Sequence, residues 1–189
     1  MARRHPEAEI QPWCQDGWAY ASNRVGQKGR GTRVRYERGL RPEGVVIDHR
    51  YASAWLFAAV RPGTDQAFAL VIPEVSAAAM QAFLDGFAAT LPECVHAALL
   101  LDGAGWHVAE DIAVPANISL VFLPPYAPQS NPVERTWLYL RERYLSLRLF
   151  ADLDDTIDGC CDAWNRLGAE PGRIASLTDY PYLRSVRTS

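Results

Sequence analysis

Apolar and polar positions change their spacing several times along this chain, and each change marks an element. Ile10 to Asp16 leans apolar through Trp13 and Cys14 and predicts a strand ending on an acid. The glycine-rich, polar stretch from Gly17 to Gly31 predicts a hairpin or loop. Thr32-Arg33-Val34-Arg35-Tyr36 alternates with period two, the pattern of a half-buried strand. Val45-Val46-Ile47 and Ala52 to Val60 add β-branched and aromatic runs, broken by turn residues at Asp48-His49-Arg50 and Arg61-Pro62-Gly63. Phe68 to Ile72 completes an antiparallel meander that stops at Pro73.

The period then lengthens. Ser76 is placed to cap a helix in which Met80, Phe83, Leu84 and Phe87 recur at helical spacing as far as Leu91-Pro92. Ala97 to Leu101 is apolar without alternation, as a strand buried on both faces requires. A connector from Asp111 to Asn117 leads to a strand over Ser119 to Leu123. Pro132 suits the first turn of a helix carrying Val133, Trp137, Leu140 and Tyr144. Ile157, Cys160, Cys161 and Trp164 mark a last helix, and from Pro171 the pattern fades into a tail. Strands first, then helix, strand, strand, helix, helix predict an α/β fold: a mixed sheet of antiparallel hairpins plus parallel strands, covered by helices.

Composition narrows the class. With 49% apolar and 22% charged residues over 189 positions, one domain with a full-sized core is expected. No apolar run approaches the roughly 20 residues that span a bilayer. The charged start, Met1-Ala2-Arg3-Arg4, has no apolar stretch behind it, so the expected location is cytoplasmic and no membrane partner is expected. Cys14, Cys94, Cys160 and Cys161 form no CxxC pair, which argues against a disulfide framework and leaves buried free thiols as the reading. Cys94 and His96 lack the matching second pair that a zinc site needs.

A net charge of −3 hides segregation. Between Arg24 and Arg41 the positives Arg24, Lys28, Arg30, Arg33, Arg35, Arg38 and Arg41 face Glu37 alone. A second basic group, Arg135, Arg141, Arg143 and Arg148, lies on or beside the helix that begins near Pro132, while Asp152, Asp154, Asp155 and Asp158 gather further on. Two basic groups of this kind suit a phosphate-backbone track.

The basic groups flank two acids. Asp102 comes straight off the carboxyl end of a buried strand, the usual place for a ligand site in such sheets, with Gly103 and Gly105 behind it. Glu134 falls in the first turn of its helix, where the dipole favours a carboxylate. Two carboxylates on rigid elements can hold a divalent cation for phosphate chemistry, and a pair of such ions calls for a third acid. Asp16 follows an apolar strand and is favoured, with Asp48, in a turn, as its rival.

Four motifs carry a family resemblance: Trp13-Cys14-Gln15-Asp16, Val25-Gly26-Gln27-Lys28-Gly29, Leu101-Asp102-Gly103-Ala104-Gly105-Trp106-His107, and Leu123-Pro124-Pro125-Tyr126-Ala127-Pro128 through Asn131-Pro132-Val133-Glu134. Together they resemble the catalytic region of bacterial mariner-like insertion-sequence transposases, which are DDE superfamily endonucleases. The resemblance runs from about Trp13 to Leu177. It implies a ribonuclease-H-like fold, a short lead over 1–12, a catalytic domain over 13–170 and a tail over 171–189. It places a metal triad on Asp16, Asp102 and Glu134, holding Mg²⁺ or Mn²⁺, two ions. The implied activity is hydrolytic nicking at element ends, then attack of the freed 3′-hydroxyl on target DNA.

The resemblance carries partners with it: double-stranded DNA of the terminal repeats and of the target, a homodimer that joins two ends, and association with the nucleoid. About a dozen residues precede Trp13, so the helix-turn-helix reader of the terminal repeats is expected on a separate polypeptide or in a missing N-terminal domain. His107, Asn131, Lys28, Arg30 and Arg135 are the candidates for supporting the acids or contacting DNA, whereas Tyr126 and Trp137 are read as packing residues. One departure stands out. The family continues after its first acid with Glu-Ala-Arg, but here Gly17-Trp18-Ala19-Tyr20-Ala21-Ser22-Asn23 intervenes before the Gly-Gln-Lys-Gly turn. That segment motivates the alternative reading, a catalytically impaired remnant that binds DNA or intact transposase as a regulator.

Overall fold

The computed structural model describes residues 6–21, 53–102, 112–123, 131–146, 148 and 150–184. Five strands, β1 (Glu9–Ala21), β2 (Ser53–Val60), β3 (Ala67–Ile72), β4 (Val95–Leu101) and β5 (Ile118–Phe122), form one sheet in the order β3-β2-β1-β4-β5. β1, β2 and β3 pair antiparallel, whereas β4 lies parallel to both β1 and β5. The mixed sheet expected from the element order is therefore present, with β1 at its centre.

Alternation along β1 divides the core between the two faces of the sheet. Trp13 packs on one side with Phe57, Leu99 and helix α1 (Ala77–Thr90), which contributes Met80, Phe83, Leu84 and Phe87. Cys14 and Tyr20 pack on the other with Leu56, Ala58 and residues of α2 (Val133–Leu140) and α3 (Leu153–Gly168). α1 begins where Ser76 Oγ accepts the Ala79 N–H at 3.1 Å, satisfying a donor the helix itself leaves free. α3 begins in the same way, with Asp152 accepting the Asp155 N–H at 2.9 Å. Asp152, Asp154 and Asp155 of the acidic group thus form the capped, dipole-favoured start of a helix, with Asp158 further along it.

Three local expectations change. β1 does not stop at Asp16: Gly17 to Ala21 continue the strand, paired with β2 as far as Ala21 opposite Ser53. Trp18 and Tyr20 keep the two-residue period and face the α2 side, so the polar appearance of this stretch hid a strand. Cys94 is exposed, at the turn before β4, while Cys14 and Cys160 are the buried thiols. The segment after Pro171 is helical, forming α4 (Arg173–Thr178) and α5 (Pro181–Arg184), with Ile174 and Thr178 buried.

α4 has no cap from its own sequence neighbours. Asp65, in the turn between β2 and β3, accepts the Gly172 and Ala175 N–H groups at 2.6 and 3.0 Å. Thr178 Oγ1 accepts the Gly63 N–H of the same turn at 3.1 Å. α2 runs on into a single π-helical turn over Arg141–Leu145, and Tyr20 at the far end of β1 donates to the Leu145 carbonyl at 3.0 Å. The strands expected over Thr32–Tyr36 and Val45–Ile47 lie outside the described residues.

Candidate active site

The parallel register of β1 and β4 pairs Cys14 with Leu100. Two residues further along each strand, Asp16 and Asp102 leave neighbouring strands at the same level. Cys14 and Leu100 both pack on the α2 side of the sheet, so the alternation directs positions 16 and 102 to that side as well. Asp102 is exposed at the carboxyl end of β4. Glu134 is exposed in the first turn of α2. It stands one helical turn before Trp137, which is buried against the sheet.

Two hydrogen bonds fix the helix to the strand beside Asp16. The indole N–H of Trp137 donates to Asp16 Oδ2 at 2.9 Å. Asn131, itself buried, donates its amide N–H to the Gln15 carbonyl at 2.9 Å and accepts the Val133 N–H at 3.2 Å. The sequence order Asn131-Pro132-Val133-Glu134 thus has a physical basis. Asn131 anchors the chain to β1 and satisfies a donor at the helix start, and Pro132 fits there because an N–H is dispensable.

The three carboxyls sense one another. Burial raises the Asp16 carboxyl to about 7, with the Glu134 and Asp102 charges adding to the rise. The Trp137 and Gly17 N–H donors oppose it, the latter at 2.9 Å from Asp16 Oδ1. Burial also raises Glu134, and the Asp102 charge raises it further. Among the described residues, no three His, Cys, Asp or Glu side chains are already gathered closely enough to hold an ion. The acids therefore form an open, mutually repelling group of hard oxygen donors on rigid elements. That chemistry fits a divalent cation such as Mg²⁺, whose charge relieves the repulsion that burial and proximity create.

Gly17 explains the departure that follows Asp16. Gly17 pairs with Phe57 across β1 and β2. A Cβ at position 17 would lie 2.9 Å from Phe57 Cε1, closer than van der Waals contact allows. Phe57 is fully buried, so its ring would have to shift within the packed core. A glutamate cannot occupy this position without displacing the core.

The other candidates divide by location. Arg135 is exposed, and its guanidinium lies 5.8 Å from the centroid of the Tyr180 ring. Arg141 and Arg143 are exposed along the same helix, and Arg148 pairs with Asp162 at 3.7 Å. Lys28, Arg30, Asp48, His107 and Tyr126 lie outside the described residues. His96 is buried with Nε2 2.9 Å from Ser119 Oγ, and Cys94 is exposed, so neither residue belongs to the acid group. Trp137 packs as expected, but its hydrogen bond to Asp16 was not foreseen. The three-residue spacing from Glu134 is the signal that could have placed Trp137 on the same side of α2, though not its partner.

Comparison with known proteins agrees with this architecture. Residues 22–157 match the family model described as DDE superfamily endonuclease, a match that begins just beyond Asp16. An uncharacterised protein, y4pE/y4sA of Sinorhizobium fredii, is 44% identical over 124 residues, covering 66% of this chain and 92% of that protein. A Mos1 transposase paired-end complex with the left transposon end superposes with a TM-score of 0.60 at 18% identity, over 87% of this chain and 50% of that one. A Mos1 mariner paired-end complex with Mn gives a TM-score of 0.61 at 16% identity with the same coverage. The chain spans about half the length of the Mos1 chains it matches. Both the strand order and these likenesses give a ribonuclease-H-like fold, and the chain belongs to the DDE superfamily of endonucleases.

Proposed function

We propose that this chain is the catalytic core of a DNA transposase, using Asp16, Asp102 and Glu134 to hold two Mg²⁺ or Mn²⁺ ions. One observation carries the reading. Three acids from a central strand, its parallel neighbour and a helix lie within electrostatic reach of one another at the carboxyl end of the parallel strands. Asp16, Asp102 and Glu134 would hold the ions, whose chemistry would be to activate a water or a 3′-hydroxyl and to stabilise the leaving oxygen of the broken phosphodiester.

The chain's own residues perform the positioning. Asp16 is oriented by its two N–H donors. Glu134 is placed by a helix that Asn131 ties to β1. Arg135, Arg141 and Arg143 present charge beside Glu134 for the phosphate backbone, a role shared in this reading with Lys28, Arg30 and His107. The likeness to Mos1 complexes that contain a transposon end supports DNA as the substrate class. In this reading terminal-repeat recognition belongs to a helix-turn-helix region on a separate polypeptide or outside these residues, and a homodimer joins the two ends.

A second reading rests on the altered segment after Asp16: a catalytically impaired remnant that binds DNA or an intact transposase as a regulator, without cutting. A labelled duplex carrying the ends of the element separates the two. Incubated with the chain, its DNA-reading partner and Mg²⁺ or Mn²⁺, it is expected to be nicked by the wild type and left intact by Asp102→Asn. Equal results for both proteins would overturn the enzyme reading, while retained DNA binding with no nicking would favour the regulator. An RNA–DNA hybrid assayed in parallel tests for a stand-alone nuclease of the same fold.

A further inference from the structure

The aromatic group beneath the acids has a role beyond filling space. Trp137 lies 5.8 Å from Trp18 in a stacked arrangement, with planes 19° apart, and 6.1 Å from Trp164. It is 3% exposed and reaches across 121 sequence positions to donate its only N–H to Asp16 Oδ2 at 2.9 Å. The same helix carries Glu134 one turn earlier.

We infer that Trp137 is a positioning residue: its indole N–H, rather than its packing against Trp18 and Trp164, sets the Asp16 carboxylate relative to Glu134, so that one helix places two of the three metal-binding acids. Trp18 lies in the very segment where this chain departs from the Glu-Ala-Arg pattern. The departure therefore supplies one of the rings packed against Trp137. The inference rests on the metal-dependent reading above. A group that orients a metal-binding carboxylate alters metal affinity when removed, typically by about 10- to 100-fold.

Trp137→Phe keeps an aromatic ring and removes the donor. Measured on the full chain by electron paramagnetic resonance titration, the Mn²⁺ dissociation constant is expected to rise about tenfold or more. Trp164→Phe perturbs the same aromatic contact without touching Asp16, and serves as the packing control. It is expected to lower Tm while leaving Mn²⁺ affinity at the wild-type value. Wild-type affinity in Trp137→Phe, or an equal loss in Trp164→Phe, would overturn the positioning role. Asp16→Asn and Glu134→Gln run beside them. If these also bind Mn²⁺ like the wild type, the metal site itself fails. If they weaken binding and Trp137→Phe does not, only the positioning role fails.

Discussion

Phe57 occupies the space that any side chain at position 17 would need, because the two residues are paired across the central strands and a Cβ there would come within 2.9 Å of the ring. Gly17→Ala is therefore expected to destabilise the chain by about 1–3 kcal/mol, the usual penalty for forcing a methyl into a packed core. Gly17→Glu, which restores the residue the family carries, is expected to be worse. Urea denaturation measures both. Phe57→Leu combined with Gly17→Ala should recover part of the loss, and additive effects would show that the contact is not the cause.

Asp16 makes the metal-free protein sensitive to alkali. Its carboxyl is raised from 3.8 to about 7 in the folded state, so the folded chain holds that proton more tightly than the unfolded chain does. The associated destabilisation is absent below about pH 4, builds as pH rises, and is complete above about pH 7. Glu134 is displaced in the same direction. Tm in the presence of a chelator should accordingly fall between pH 4 and 7, and Asp16→Asn should flatten the profile. Adding Mn²⁺ at pH 7 should restore Tm in the wild type and leave Asp16→Asn unchanged.

Glu134→Gln separates stability from function. The substitution removes a charge that repels Asp102 and Asp16. Chelated protein carrying it should melt at or slightly above the wild-type temperature, while nicking with Mg²⁺ disappears. A clear drop in Tm would mean that Glu134 holds the helix in place, contrary to the proposed role.

The C-terminal helices depend on one remote acid. Asp65 accepts two N–H groups at the start of α4, and its replacement by Ala is expected to cost about 1–2 kcal/mol, as loss of a strong helix cap does. Hydrogen exchange should report the loss first at the Gly172 and Ala175 amides. Unchanged protection there would show that burial of Ile174 alone secures α4.

Much of the fold was legible because its signals are local. The helical spacing of Met80, Phe83, Leu84 and Phe87 is completed by a cap four residues before Met80, and the unbroken apolar run before Asp102 can only be a strand covered on both faces. α4 escaped notice because its cap is Asp65, 107 positions away from Gly172. The extension of β1 escaped because Gly17 and the small polar residues beyond Tyr20 resemble a loop, whereas the strand is held by pairing with β2.

The candidate site divides along the same line. The sequence by itself marked Asp102 and Glu134 as candidates, since a strand end and a helix start announce themselves in adjacent residues. It also supplied Asn131 and Pro132 as the turn chemistry that starts α2. The sequence favoured Asp16 as their companion, and the tertiary structure adds the parallel register, linking strands 86 positions apart, that brings it to the level of Asp102. Only the tertiary structure decided the Trp137 hydrogen bond and the Phe57 ring that keeps position 17 bare. Local spacing is written in neighbouring residues, but which distant side chain fills a space or accepts a proton is fixed only when the sheet and its helices pack together.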